Sequence, residues 1–183
     1  MNSFDNFSPQ SLLDNVPLES IEHFGRPLKE HLSGTYDLLL EWCSPVPVCL
    51  AGLLHSIYGT RTFTHATLEI SARSQVKEKI GSEAEQLVYL FCVSDRKRLL
   101  LENPRAPFSW VDHRTGERHS LSLETLRALV EIEAANFLEQ LHLVDSAEII
   151  GDMQMRFESA RHLLSEPAKR ALRIRLAAAQ SQC

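Results

Sequence analysis

Ala51-Gly52-Leu53-Leu54-His55-Ser56-Ile57-Tyr58-Gly59-Thr60 opens as a helix apolar on every side and closes in groups that can bind a ligand, donate a proton or turn the chain. A helix that is hydrophobic all round belongs at the centre of a globular domain. The single imidazole near its C-terminal end must then find a partner in the interior: a metal, a substrate or a carbonyl. Gly59 and Thr60 read as the stop, so the pattern predicts a central helix from Val48 to about Tyr58.

Immediately upstream, Ser44-Pro45-Val46-Pro47 ends an earlier helix, because each proline disfavours helix in the residue before it. That earlier helix starts at Pro27. Its Leu28, Leu32, Leu39 and Trp42 share one stripe, with His31 and Tyr36 close beside it. So short a connection makes antiparallel neighbours and brings the His31 helix alongside the His55 helix. Two histidines far apart in sequence then face one pocket. A lone histidine on a helical face is more often a hydrogen-bonded core residue than a ligand; two on adjacent helices shift that balance.

Further out, Ser8-Pro9 suits an N-cap and first turn leading into Leu12 and Leu13, Pro17 opens a short segment with Leu18 and Ile21, and His23 to Pro27 breaks the chain. Downstream, a helix is expected from Ser71 to Ile80, with Gly81 as its stop. Another starts at Ser82, where Ser82 and Glu85 have capping-box spacing, and ends near Asp95-Arg96. Alternation over Phe108 to Val111, a Thr-Gly turn and His119 to Leu121 predict a small β-hairpin. Ser122 to about Leu141 is again helical, with Glu133, Asn136 and Glu139 three residues apart, and helices over Ser146 to Leu164 and Pro167 to Ala179 close the chain. With no repeat and no low-complexity linker, residues 1–183 read as one all-α domain carrying a hairpin insertion between Phe108 and Leu121.

A chain of 183 residues buries a core without disulfide or metal staples. Its net charge of -5 gives no basic footprint, which argues against nucleic acid as a partner. Cys43, Cys49, Cys92 and Cys183 form no CxxC pair and read as reduced, mostly buried thiols. No stretch approaches a membrane span, and Met1 to Gln10 lacks the basic region and apolar run of a secretory signal. A cytoplasmic protein is expected, with a homo-oligomer left open.

Around the two histidines, Arg26 is placed to clamp an anion or to pair with Glu22 or Glu30. Ser56, one residue from His55, diverges from it by roughly 100° on a helix and cannot form a dyad with it. Tyr58 and Thr60 either line the pocket or cap carbonyls. The Ala134-Ala135 pair argues for close helix contact, which makes Asn136 a buried polar residue in need of partners. Asp95-Arg96 reads as a helix-end charge pair.

The order His31-Leu32-Ser33-Gly34-Thr35-Tyr36, then Ala51 to Thr60, then Ile80-Gly81 ahead of Ala84-Glu85-Gln86-Leu87-Val88, resembles the HD-domain metal-dependent phosphohydrolases. The likeness is greatest to the hydrolase domain of the stringent-response enzymes that remove pyrophosphate from (p)ppGpp, and it covers about residues 23 to 140. HLSGTYDLLLEW and AGLLHSIYGT also look like a group of small bacterial proteins sharing a reduced version of that domain. In the phosphohydrolases, one helical histidine, a His-Asp pair at the end of an apolar helix and a later aspartate bind a divalent ion. The resemblance implies an HD-like helical bundle in which His31 and His55 hold Mn, Fe or Zn, with Glu133 or another histidine completing the shell. It further implies hydrolysis of a small phosphorylated or anionic metabolite met by Arg26, Ser56, Tyr58, Thr60, Glu133 and Asn136.

The chain departs from that pattern. The paired aspartate is Ser56, the acidic residues after it correspond to Gly59 and Thr60, and the late aspartate falls near Ala135 or Asn136. Losing two carboxylates removes the charge that offsets a divalent ion and the groups that activate water. Two expectations follow. One is a divergent metal-dependent hydrolase, or an iron-dependent oxygenase such as some HD-like proteins are. The other is a metal-free relic, in which His31 and His55 bond Ser56, Tyr58 or Asn136 and the protein binds a ligand or partner without turnover.

Overall fold

The computed structural model describes residues 11–14, 21–23, 25–102 and 107–180. Ser8-Pro9 and Pro17-Leu18 lie outside these residues. The chain runs through helix α1 (Ser11–Asp14), strands β1 (Glu22–His23) and β2 (Arg26–Pro27), and helices α2 (Leu28–Glu41), α3 (Val46–Leu53), α4 (Arg73–Ile80), α5 (Ser82–Val93) and α6 (Arg96–Glu102). It continues through strands β3 (Ser109–Val111) and β4 (Arg118–Ser120) to helices α7 (Leu123–Gln140), α8 (Ala147–Ser159) and α9 (Glu166–Gln180). The fold is all-α with a small antiparallel hairpin, β3 on β4, in the register Ser109 to Ser120 and Val111 to Arg118. Among the described residues no helix is long and apolar enough to cross a membrane.

Three helices position the site. α2 buries Leu28, Leu32 and Leu39 completely, then reverses at Cys43, which takes a left-handed φ of 56°. α3 returns antiparallel from Pro45, and every residue from Ala51 to Thr60 is buried. Gly52 permits this closeness: a Cβ there would lie 2.2 Å from the Leu39 side chain. α7 packs against both, with Leu126, Leu129, Val130, Ile132, Ala134 and Ala135 fully shielded. The small pair Ala134-Ala135 is what lets its backbone approach so closely.

The central helix is shorter than its hydrophobicity suggests. It ends at Leu53, and residues 54–58 continue as turns. The Gly52 carbonyl, which a longer helix would bond to the Ser56 amide, instead accepts the His55 Nδ1 proton at 2.7 Å. A local side-chain bond of this kind competes with the helical ladder. The Ile57 carbonyl likewise accepts from the Thr67 and Leu68 amides, and Gly59, at φ 72°, finishes the reversal.

The Ser82–Glu85 capping box does not form. Gly81 is the N-cap, without a side-chain bond, and the Glu85 carboxylate accepts from Arg73 at 2.7 and 2.9 Å and from the Tyr58 hydroxyl at 3.3 Å. A guanidinium fork outcompetes a single backbone amide for that carboxylate. α5 ends at Val93, two residues short of the expected Asp95-Arg96; a bridge between Ser94 and Asp112 follows it, and Arg96 starts α6. The break at His23 to Pro27 is a two-strand turn around Gly25, φ 76°.

Candidate functional site

His31 projects from the second turn of α2 and His55 from the turns after α3; the two are 1% and 2% exposed. Their rings meet edge to face, with centroids 5.0 Å apart and planes at 88°, and the two Nε2 atoms are 3.2 Å apart. Asn136 of α7 brings its Oδ1 to 3.1 Å from the His31 Nε2. Gln140, one turn further along, donates from Nε2 to Asn136 Oδ1 at 3.1 Å and sits 3.1 Å from His31 Nε2.

The protons on the two rings follow from their other contacts. His31 Nδ1 bonds Glu139 Oε2, and a carboxylate only accepts, so Nδ1 carries the hydrogen. His55 Nδ1 bonds the Gly52 carbonyl, which also only accepts. The His55 Nε2, on the far side of its ring from that bond, faces His31 Nε2. Burial, then the neighbouring His31, holds the His55 pKa well below its usual 6.5, so this ring is neutral at physiological pH. His31 Nε2, His55 Nε2 and Asn136 Oδ1 converge, and the Gln140 amide nitrogen, a donor, lies 3.1 Å from both His31 Nε2 and Asn136 Oδ1.

α7 holds this arrangement through two parallel relays. Glu139 pairs with Arg26 as well as with His31. Burial alone pushes its carboxyl up, but the bonds from His31 and Arg26 outweigh that and keep it below the ordinary carboxylate range. Six residues earlier, Glu133 Oε2 lies 2.8 Å from Arg96 Nε and accepts from Asn136 Nδ2 at 3.3 Å, which turns the amide so that Oδ1 faces the histidines. Gly34 makes room for the first relay, since a Cβ there would stand 2.8 Å from Glu139 Cγ.

His23 packs against His31 with tilted rings 4.8 Å apart and meets Phe63 edge-on at 4.7 Å, closing the cluster from the side of β1. Burial first, and His31 next, lower the His23 pKa to about 4. A groove of about 930 Å³ between α8 and α9, walled by Phe157, Arg161, Leu172 and Arg173, contains none of these residues.

The sites expected from sequence thus fall into two groups. His31, His55, Asn136, Glu133 and Arg26 come together, although Arg26 pairs with Glu139 rather than with Glu22 or Glu30. Tyr58 and Thr60 are elsewhere: the Tyr58 hydroxyl donates to Glu85, and Thr60 Oγ1 accepts from the Phe63 amide at 3.0 Å. Ser56 is buried next to His55, and its Oγ has no hydrogen-bond partner among the described residues. Sequence reading gave no role to Gln140 or Gly34, took Arg96 as half of a helix-end charge pair and marked Glu139 only by its spacing. Only the three-residue spacing of Glu133, Asn136 and Glu139 hinted that a whole face of α7 was involved.

Residues 12–96 match a domain of unknown function (DUF6817). That segment carries Arg26, His31 and His55 and stops before α7, which supplies Asn136 and both glutamates. No curated protein and no solved structure matches the chain.

Among the described residues, no group of three or more His, Cys, Asp or Glu side chains is arranged to hold an ion. The third atom of the cluster is an amide oxygen. Two imidazole nitrogens and an amide oxygen suit a borderline transition ion better than Mg or Ca. Both Nδ1–H groups are fixed by acceptors, the orienting arrangement that metal-binding histidines need.

Proposed function

We propose that the protein is an HD-like metal-dependent hydrolase in which His31 Nε2, His55 Nε2 and Asn136 Oδ1 hold one divalent transition ion, and that it acts on a small phosphorylated or otherwise anionic metabolite. The close approach of the two imidazole Nε2 atoms, 3.2 Å apart, with the Asn136 amide oxygen 3.1 Å from one of them, carries this reading. A divalent ion there supplies Lewis-acid polarisation and an acidified water. Glu139 and the Gly52 carbonyl fix the two tautomers, and Glu133 fixes the amide. His23 and Phe63 keep bulk water off the rings. Half-buried Asn136, Gln140 and Arg26 form the edge from which a substrate approaches.

One observation favours the metal-free alternative. No carboxylate points at the meeting point, because Glu133 and Glu139 are each engaged by an arginine. On that reading a proton shared between the rings replaces the ion, and the protein binds without turnover. Elemental analysis of protein purified without a histidine tag separates the two. Stoichiometric Mn, Fe or Zn that disappears in His55→Ala, together with metal-dependent hydrolysis of a phosphate ester, is the expected result. Metal-free protein whose melting temperature is indifferent to all three ions establishes the alternative, and iron with oxygen-dependent turnover establishes an oxygenase.

A further inference from the structure

We propose that the outer face of α8 and α9 is a self-complementary surface on which a second copy of this chain docks, the helices of the two copies running antiparallel about a two-fold axis level with Gln154 and Gln180. The histidine cluster takes no part in it.

α8 and α9 pack together across a short connection, so they run antiparallel. The Gln180 side-chain amide donates to Gln154 Oε1, which sets those two residues at one level. Four of the six large hydrophobic side chains exposed among the described residues, Leu143, Ile149, Met155 and Ile174, belong to this part of the chain, with Met155 60% and Ile174 53% exposed. Exposed apolar surface gathered in one place marks an interaction site. Met155 and Gly151 line an open concavity of α8 that shares Gln154 and Glu158 with the groove lined by Ile174, so the surface is continuous from Gly151 to Arg170. Gly151 is the odd residue in it. Glycine weakens a helix interior relative to alanine, yet a Cβ there would meet nothing within 4 Å, so no contact among the described residues calls for it. A backbone approaching from outside does.

The charges decide the occupant. Along the rim, Arg161 pairs with Glu158 and Lys169 with Glu166. Glu148 at the start of α8, and Arg170 and Arg173 on α9, are exposed and make no ion pair among the described residues. Glu148 shares a helical stripe with Gly151, Met155 and Glu158, and Arg173 shares one with Arg170 and Ala177. At the helical rise, Glu148 lies about 9 Å before the Gln154–Gln180 level and Arg173 about 10 Å on its other side. Acid and base thus stand nearly equidistant from one level, and a partner of uniform charge satisfies only one of them. A copy turned by 180° about that level sets each Glu148 against the other copy's Arg173, twice, as an isologous interface requires. The same rotation brings the two Met155 side chains, one residue from the axis, together at the centre with Gly151 beside them.

Sedimentation velocity of the full chain over a range of concentrations, with circular dichroism as the check on folding, tests this. The unaltered chain is expected to sediment as a dimer that dissociates on dilution. Met155→Glu, Glu148→Arg and Arg173→Glu are each expected to weaken the dimer by roughly tenfold or more with helical content unchanged, because each substitution acts twice across a two-fold axis and like charges brought face to face repel. Mixing Glu148→Arg with Arg173→Glu is expected to restore a dimer containing one chain of each, since both contacts then join opposite charges. A monomer at every concentration overturns the inference, and a monomer that binds a synthetic amphipathic helix rich in glutamate overturns it in favour of a different protein partner. A dimer indifferent to all three substitutions places the interface elsewhere, and variants that fail to pair when mixed contradict the two-fold arrangement; either result overturns the proposal.

Discussion

At the scale of single residues, Gly34 has the largest hidden role. Its missing side chain lets Glu139 lie against α2, 2.8 Å from where a Cβ would stand, and reach His31. In Gly34→Ala the displaced carboxylate is anchored by two partners and cannot swing aside freely. Overpacking of about 1–3 kcal/mol then exceeds the roughly 1 kcal/mol that alanine gains in helix propensity. A lower urea midpoint is expected, with metal affinity weakened about 10- to 100-fold, as when other orienting partners of metal-binding histidines are lost. A stable variant with unaltered metal affinity would show that Glu139 does not orient the ring.

The histidines also set a direction for pH. His55 and His23 have folded pKa values below the unfolded 6.5, so below pH 6.5 the unfolded chain binds more protons than the native one. Their contribution is fully present above that value and is lost as pH falls, for His23 over the interval down to about 4. Glu139, held low, loses its contribution in the same direction at more acid pH. Metal-free protein should therefore melt at steadily lower temperature from pH 7 to pH 4.5, and His23→Gln should flatten that slope. A pH-independent melting temperature over this range contradicts the neutral buried rings.

At the scale of elements, α7 is the organiser. Its N-terminus is set by Ser122, whose hydroxyl accepts from the Thr125 amide at 3.1 Å. Ser122→Ala is expected to cost about 0.5–2 kcal/mol in chemical denaturation without changing metal affinity, because the cap lies far along the helix from Asn136. A changed affinity would show that the helix shifts along its axis when its cap is removed.

The start of α7, the stripe of α2 and the β3–β4 hairpin were readable because periodicity and capping chemistry are local. The end of α3 was not. There His55 takes the Gly52 carbonyl from the backbone, and hydrophobicity does not record such a competition. Glu85 escaped for a related reason: its capping position is local, but Arg73 and Tyr58 reach it from other parts of the fold. The pairing of His31 with His55 was legible from the short connection between their helices. The Glu139 relay depends on a contact between α2 and α7, 108 residues apart at His31 and Glu139, and the Glu133 relay on one between α6 and α7; no local pattern announces either.

At the scale of the whole molecule, the histidine pair sits where α2, α3 and α7 meet, inside a core that extends into α5 and α9. Burial raises the Cys92 thiol to about 12 and the Cys49 thiol to about 11, whereas Cys43 is exposed. In a Cys183→Ser background, an aromatic disulfide reagent at pH 8 should modify Cys43 at once and Cys92 only as fast as the domain opens. Prompt modification of Cys92, whose Sγ donates to the His55 carbonyl at 3.1 Å, would mean that the cluster lies in a loosely closed part of the molecule.

Long-range proton–nitrogen NMR correlations of the imidazoles, recorded on metal-free protein at pH 8 and again during zinc addition, go most directly to the pair itself. Both His31 and His55 should carry their proton on Nδ1, with unprotonated Nε2 signals that move together as zinc saturates one site. A ring found with its proton on Nε2, or Nε2 signals unmoved by zinc, would contradict the two Nε2 atoms poised around an ion.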